Sequence, residues 1–357
     1  MKKILLLIIS VLSLSFLSCS KTETKNEFGW FTDYDECLNS ARENDKKVML
    51  IISRDEADNI SAGLKEKIFH TQEFADTFSN QFEFCEIDMS PSLVKNAYPK
   101  ADATKKEKAE AKKYKKIVDS RMRVCSILSI QVTPTVYILT KEGYVIQDIP
   151  YLPVDNVQSF KELISMYDDE TQKIEKLVAD INQAKGKDKV FAIDALYENM
   201  NRTYRYQMTD LMRQVEKLDK KNETGLVGKY VLAIGTSDAI DAHLNRKQES
   251  IPGIYEKIAK HPSLTPIQKQ QAYYAAAYMI GNTPSEKETD KLIELLEKII
   301  EIDASSDFGK AAEQLVVQVK EFKKRQEETA KKIEEESQSS ASESESESES
   351  KSAENDN

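Results

Sequence analysis

The chain has 357 residues, with 51 lysines and arginines against 61 aspartates and glutamates, a formal net charge of −10. That balance argues against general nucleic-acid binding, which needs cations to neutralise phosphates, and four cysteines are too few for a disulfide-dense scaffold. Ten glycines and nine prolines exclude a collagen-like sequence, the length allows two domains with cores, and an apolar content of 40% indicates that part of the chain does not pack.

Met1-Lys2-Lys3 is a short cationic start, and Ile4 to Ser18 carries no charge. This run is too short to span a bilayer as a helix and fits the core of a signal peptide over residues 1–18. It ends Phe16-Leu17-Ser18-Cys19, which resembles a bacterial lipobox in relaxed form. The resemblance implies cleavage before Cys19, lipidation of Cys19, and a polar tether over residues 19–27. The membrane is then a partner, and the protein is lipid-anchored in the cell envelope, outside the cytoplasm. The alternatives are an ordinary secretory signal and an uncleaved anchor.

Residues 28–168 read as one α/β domain. Tyr34, Cys37, Leu38 and Ala41 recur at helical spacing within Asp33 to Asp45. Val48 to Ile52 is a continuous apolar run, the mark of a strand buried on both faces. A polar loop over Ser53 to Ser61 is followed by a helix from Leu64 to Phe82 and a strand from Phe82 to Met89. Ile117 to Ile130 reads as a helix, Thr135 to Thr140 and Tyr144 to Ile149 as strands joined by a Lys141-Glu142-Gly143 turn, and Asn156 to Tyr167 as a closing helix. This order predicts a mixed sheet with helices on both faces.

Trp30, the helix pattern from Asp33 to Ala41, the strand Lys47-Val48-Met49-Leu50, the segment Leu64 to Phe69 and the stretch Ile130-Gln131-Val132-Thr133-Pro134-Thr135 occur in one order. Together they resemble the thioredoxin superfamily, in particular its secreted thioredoxin-like members. The resemblance covers about 140 residues. It implies a cis-proline groove at Thr133 and Pro134. Redox members carry Cys-x-x-Cys at the start of the second helix, where the helix terminus and a neighbouring thiol lower a thiol pKa. Counting back from Leu64 places Asp58-Asn59-Ile60-Ser61 there, with Ala57 in front. Both sulfurs are missing, so ordinary dithiol exchange is excluded, and Asp58 or Asn59 suits a helix N-cap.

Cys37, Cys85 and Cys125 remain in the body of the chain, and each reads first as a small buried hydrophobe. A Cys85–Cys125 disulfide, or a reactive Cys125, is the basis of an alternative reading as a thiol oxidoreductase. The three histidines, His70, His243 and His261, are scattered, so no metal site is expected. There is no Gly-rich phosphate loop and no nucleophile elbow, so no cofactor is expected. Residues 91–116 look like an insertion, and Lys105 to Lys116 reads as an exposed basic helix extension: a solvated face, or a docking surface for anionic lipid or an acidic partner.

Residues 169–333 read as an all-α repeat or bundle domain. Helices are expected over Ile174 to Gln183, Lys189 to Met200, Tyr204 to Leu218, Gly225 to Ala233, Ser237 to Leu244, Ile254 to Lys260, Pro266 to Ile280, Ser285 to Ile302 and Phe308 to Ile333. Asp219 and Gly225 recur 84 residues later as Asp303 and Gly309, and half that interval falls on the break at His261 to Leu264. Helix pairs of about 40 residues resemble a divergent tetratricopeptide array; an irregular bundle is the alternative. Tyr273, Tyr274 and Tyr278 among alanines point to close helix packing. Residues 334–357 alternate Ser and Glu, and a disordered acidic tail is expected. The functional expectation is a non-redox scaffold or binder of envelope proteins, with no nucleic-acid partner; a structural envelope spacer is the further alternative.

Overall fold

The structure, a computed structural model, describes residues 25–150, 153–281 and 286–352. The signal segment 1–18, Cys19 and most of the tether lie outside the described residues. The chain divides into two compact units, one ending at Met208 and one beginning at Thr209.

The first unit is built on a four-stranded sheet in the order β2-β1-β3-β4. These strands are β1 (Lys47–Ser53), β2 (Phe82–Asp88), β3 (Thr135–Leu139) and β4 (Val145–Ile149). β1 runs parallel to β2 and antiparallel to β3, and β3 is antiparallel to β4. β1 is central, and Val48 to Ser53 are all buried, as a run of apolar residues without alternation requires.

Strand alternation decides what each face meets. Phe84 stacks near Trp30 (5.0 Å) and tilts against Phe74 (5.3 Å), and Phe74 packs on Phe69, Phe78 and Phe160. The neighbouring residue, Cys85, faces the other way, toward α1 (Tyr34–Asn44). It pairs in register with Leu50, and Leu50 with Tyr137, whose hydroxyl donates to the Leu128 carbonyl at the end of α5 (Lys105–Ile127). Helices therefore cover both faces. α1 begins at Asp33, whose side chain accepts from the Glu36 N–H, and ends at Asp45 in the left-handed region.

The expected single helix from Leu64 to Phe82 is not continuous. α2 (Asn59–Leu64) runs into a π turn (Lys65–Phe69), and α3 (Gln72–Phe78) starts afresh. Thr71 breaks the helix: its hydroxyl donates to the Ile68 carbonyl (2.7 Å) and accepts from the Phe74 N–H (3.2 Å). The wider π turn puts Lys65, Ile68 and Phe69 all inside. The insertion resolves into α4 (Pro91–Ala97) and the first half of α5, which a Thr104–Glu107 capping box opens. The basic segment and the expected helix from Ile117 are thus one element. α6 (Val157–Ser165) opens on an Asn156 cap.

The first unit extends past residue 168. α7 (Asp168–Gln183), α8 (Gly186–Asn199) and a 3₁₀ stretch (Arg202–Met208) belong to it. Gln207 accepts from the Val145 N–H on the edge strand (3.0 Å), and Tyr204 packs edge-on against Tyr137. The Gln207 bond caps a backbone group of the edge strand, which a reading from helical periodicity does not anticipate.

The second unit is helical: α9 (Thr209–Leu218), α10 (Val227–Leu244), α11 (Ile251–Ala259), α12 (Pro266–Gly281), α13 (Glu286–Ile302) and α14 (Asp307–Ser352). Each packs on the next along the chain, with added contacts between α10 and α12 and between α12 and α14. α10 is one helix, where the sequence suggested two. Gly235 does not end it but lies against Ile258 and Tyr255 of α11. Ala272, Tyr273, Ala276, Ala277 and Ile280 of α12 are buried, so its alanines serve close packing. Asp219 accepts from the Glu223 and Thr224 N–H groups (2.8 Å each), and Asp303 from the Ser305 N–H (2.9 Å), so both aspartates organise turns. Backbone helix continues to Ser352, into the segment expected to be disordered. No large apolar residue follows Ile333, and a Ser/Glu helix by itself is marginal in water.

Candidate functional site

The site expected from the sequence lies where β1 runs into α2. The loop there is tied to the end of β2. The Asp55 N–H and the Ser90 hydroxyl donate to Asp88 Oδ1 (3.2 and 2.8 Å). The Ser92 N–H (2.9 Å) and hydroxyl donate to the Glu56 carboxylate, and Arg121 of α5 donates to the Asp88 carbonyl (2.5 Å).

Asp58 is the N-cap of α2. Its Oδ1 accepts from the Ile60 N–H (2.9 Å) and its Oδ2 from the Ser61 hydroxyl (2.6 Å). Ser61 is fully buried, Asn59 is exposed, and Ile60 is 58% exposed. The carboxylate is therefore committed to starting a helix, and the hydroxyl it holds is closed to a substrate. The Thr133–Pro134 peptide bond is cis. Pro134 is buried, Thr133 half-buried and Val132 48% exposed, and the Thr135 hydroxyl donates to the Val132 carbonyl (2.8 Å).

The three cysteines are free. Cys37 and Cys85 are wholly buried. Burial first, then the hydrogen bond and charge of Cys37, push the Cys85 thiol well above its ordinary value. Burial pushes the half-buried Cys125 thiol up to about 11, against an opposing pull from Arg121. Cys85 and Cys125, paired in the oxidoreductase alternative, are not bonded: Cys85 faces α1, the helix that carries the buried Cys37.

Beneath the loop is a charged cluster that the sequence reading missed. Lys65, its side chain 4% exposed, places Nζ 2.7 Å from Asp55 Oδ2 and 2.5 Å from Glu86 Oε1. Glu86 Oε2 lies 2.9 Å from His70 Nε2 and accepts from Asn26 (3.1 Å). The His70 ring stacks on Phe28 at 4.1 Å. Burial pushes the Glu86 carboxyl up, but the bond from His70 and the charge and bond of Lys65 outweigh it and hold the group below its ordinary value. A glutamate at position 86, inside a strand that packs on both faces, was the available signal. Its partners lie 16 to 60 residues away, so only the fold brings them together. Ser53 Oγ and Asp55 Oδ1, and Arg121 Nε of α5, are buried without a hydrogen-bond partner.

Two clefts lie elsewhere in the first unit. One, of about 440 Å³, is lined by Lys46, Lys47, Gln81, Thr140, Lys141 and Glu175 at the opposite end of the strands. The other, of about 520 Å³, lies between α4 and α5 around Tyr98, Glu107 and Tyr114. Neither includes residues 58–61 or 133–134. Among the described residues no cluster of His, Cys, Asp and Glu could hold a metal ion, and no helix is long and apolar enough to cross a membrane.

A family model described as "Uncharacterised protein C-terminal domain" matches residues 226–328. The match lies wholly within the second unit. A solved structure described as "DsbH Oxidoreductase" is similar at 11% identity over 44% of this chain and 96% of that chain, with a TM-score of 0.29. A likeness that low carries no argument about either fold or activity. No curated protein matches the chain by sequence.

Proposed function

We propose that the protein is a thioredoxin-like lipoprotein, anchored through Cys19 outside the cytoplasm, that binds extended segments of envelope proteins without thiol chemistry. The observation that carries the reading is the state of residues 58–61. Asp58 caps α2, Ser61 is buried against it, and the thiols of Cys85 and Cys125 are both pushed up, where exchange needs a thiolate. The exposed side chains of Ile60 and Val132, beside the cap and the cis bond, offer apolar surface, and an extended segment can be held there by backbone hydrogen bonds that need no sulfur. The β-α-β-α-β-β-α order of the sheet and its helices supports the thioredoxin-like part of the reading.

The test is a turnover assay with the purified chain and a model disulfide, beside the Cys125→Ala variant. The expected result is no turnover above buffer by either protein, with an unfolded polypeptide retained by the wild type and released on Ile60→Asp. Turnover by the wild type that Cys125→Ala abolishes would replace this reading with the oxidoreductase one.

A further inference from the structure

Cys37 and Cys85 come from distant parts of the chain and meet inside the first unit. The apolar stripe of α1 brings Cys37 inward beside Tyr34, Leu38 and Ala41. Strand alternation turns Cys85 toward the same helix, because Phe84 faces the aromatic cluster on the other side. Both residues have no exposed surface, and the helix and the strand that carry them pack on each other. Cys125 is on α5 and half-buried, outside this contact.

We infer that Cys37 and Cys85 are an oxidation site, closing into a structural disulfide that ties α1 to β2 and leaving Cys125 as a thiol. This rests on the extracytoplasmic reading, since such bonds persist in oxidising compartments. The chemistry is thiol–disulfide exchange with a disulfide oxidant. One cysteine, as thiolate, attacks the oxidant and forms a mixed disulfide, expelling one oxidant sulfur as a thiolate. The second cysteine, as thiolate, then attacks the chain's own sulfur and expels the other. Two electrons pass to the oxidant, which leaves as two thiols after taking up the two protons the cysteines released. Exchange needs a thiolate and access, and in the folded protein burial pushes the Cys85 thiol up and closes both residues to an oxidant. The bond therefore forms before α1 closes over β2, and burial then shields it from reductant.

The test uses the full chain isolated from its cell envelope. Free thiols are alkylated in denaturant with one reagent, and after reduction the rest are alkylated with a second, isotopically heavier one. The expected result is the heavy label on Cys37 and Cys85 and the light label on Cys125, with the pair retained in the Cys125→Ala variant. The pair should also survive reductant under native conditions and be lost only on unfolding. In parallel, unfolded recombinant chain is refolded in a glutathione and glutathione-disulfide buffer. A Cys37–Cys85 bond there, with free thiols in cells, would support the pair and overturn the extracytoplasmic reading. Three light labels in both samples, or Cys125 linked to either partner, would overturn the inference.

Discussion

Lys65 is the side chain of the first unit whose burial demands most of its surroundings. An ammonium out of water needs closely placed counter-charges, and Asp55 and Glu86 supply them at 2.7 and 2.5 Å. Lys65→Met is expected to destabilise the protein by about 3 kcal/mol, because it leaves the Glu86 carboxylate inside with weaker support. The pH dependence should change with it. Glu86 is held below 4.5 in the folded protein, so its contribution is complete above pH 4.5 and is lost as the pH falls through its folded value. In Lys65→Met that carboxyl rises, and the acid limb of a denaturation series should move to higher pH. An unchanged limb would mean that the cluster adds nothing to acid stability. Asp58 was readable as a cap because short polar side chains accept backbone N–H groups locally. Lys65 was not, because its neighbours Leu64 and Ile68 describe an ordinary amphipathic stripe and its partners are remote in sequence.

At the scale of elements, contacts reverse what local composition implies about glycine. Gly235 lies in the gap expected between helices ending at Ala233 and starting at Ser237, yet α10 runs through it. A Cβ there would collide with Ile258 Cδ1, the mobile end of a side chain, whereas at Gly309 it would collide with the Asp303 carbonyl oxygen and the Ala304 backbone. Gly309→Ala is therefore expected to destabilise the protein by roughly 1–3 kcal/mol, and Gly235→Ala by less, since a rotamer yields more readily than a main chain. Chemical denaturation of the two variants checks the order. α1 and β1 were legible with nearly correct bounds, because one has an unbroken helical stripe and the other an unbroken apolar run. The π turn was not, because Thr71 ends a helix through a side-chain bond that periodicity does not record.

For the whole molecule, most of the net charge of −10 sits in residues 334–357, which hold nine acidic residues and one lysine. Removing them should leave the thermal midpoint unchanged within about 1 °C, since surface segments without packed side chains contribute little to stability. A larger shift would show that the tail is part of a folded unit. Composition by itself determined that this tail cannot form a core. Local pattern determined the order of the strands in the first unit, the absence of Cys-x-x-Cys and the helical character of residues 169–333, because these depend on residues adjacent in the chain. Only the tertiary structure decided that the first unit runs on to Met208, that Cys37 and not Cys125 is the neighbour of Cys85, and that Lys65, Glu86 and His70 share one buried cluster. Those are pairings between distant residues, set by which face of the sheet each element covers, and no local run of sequence encodes that choice.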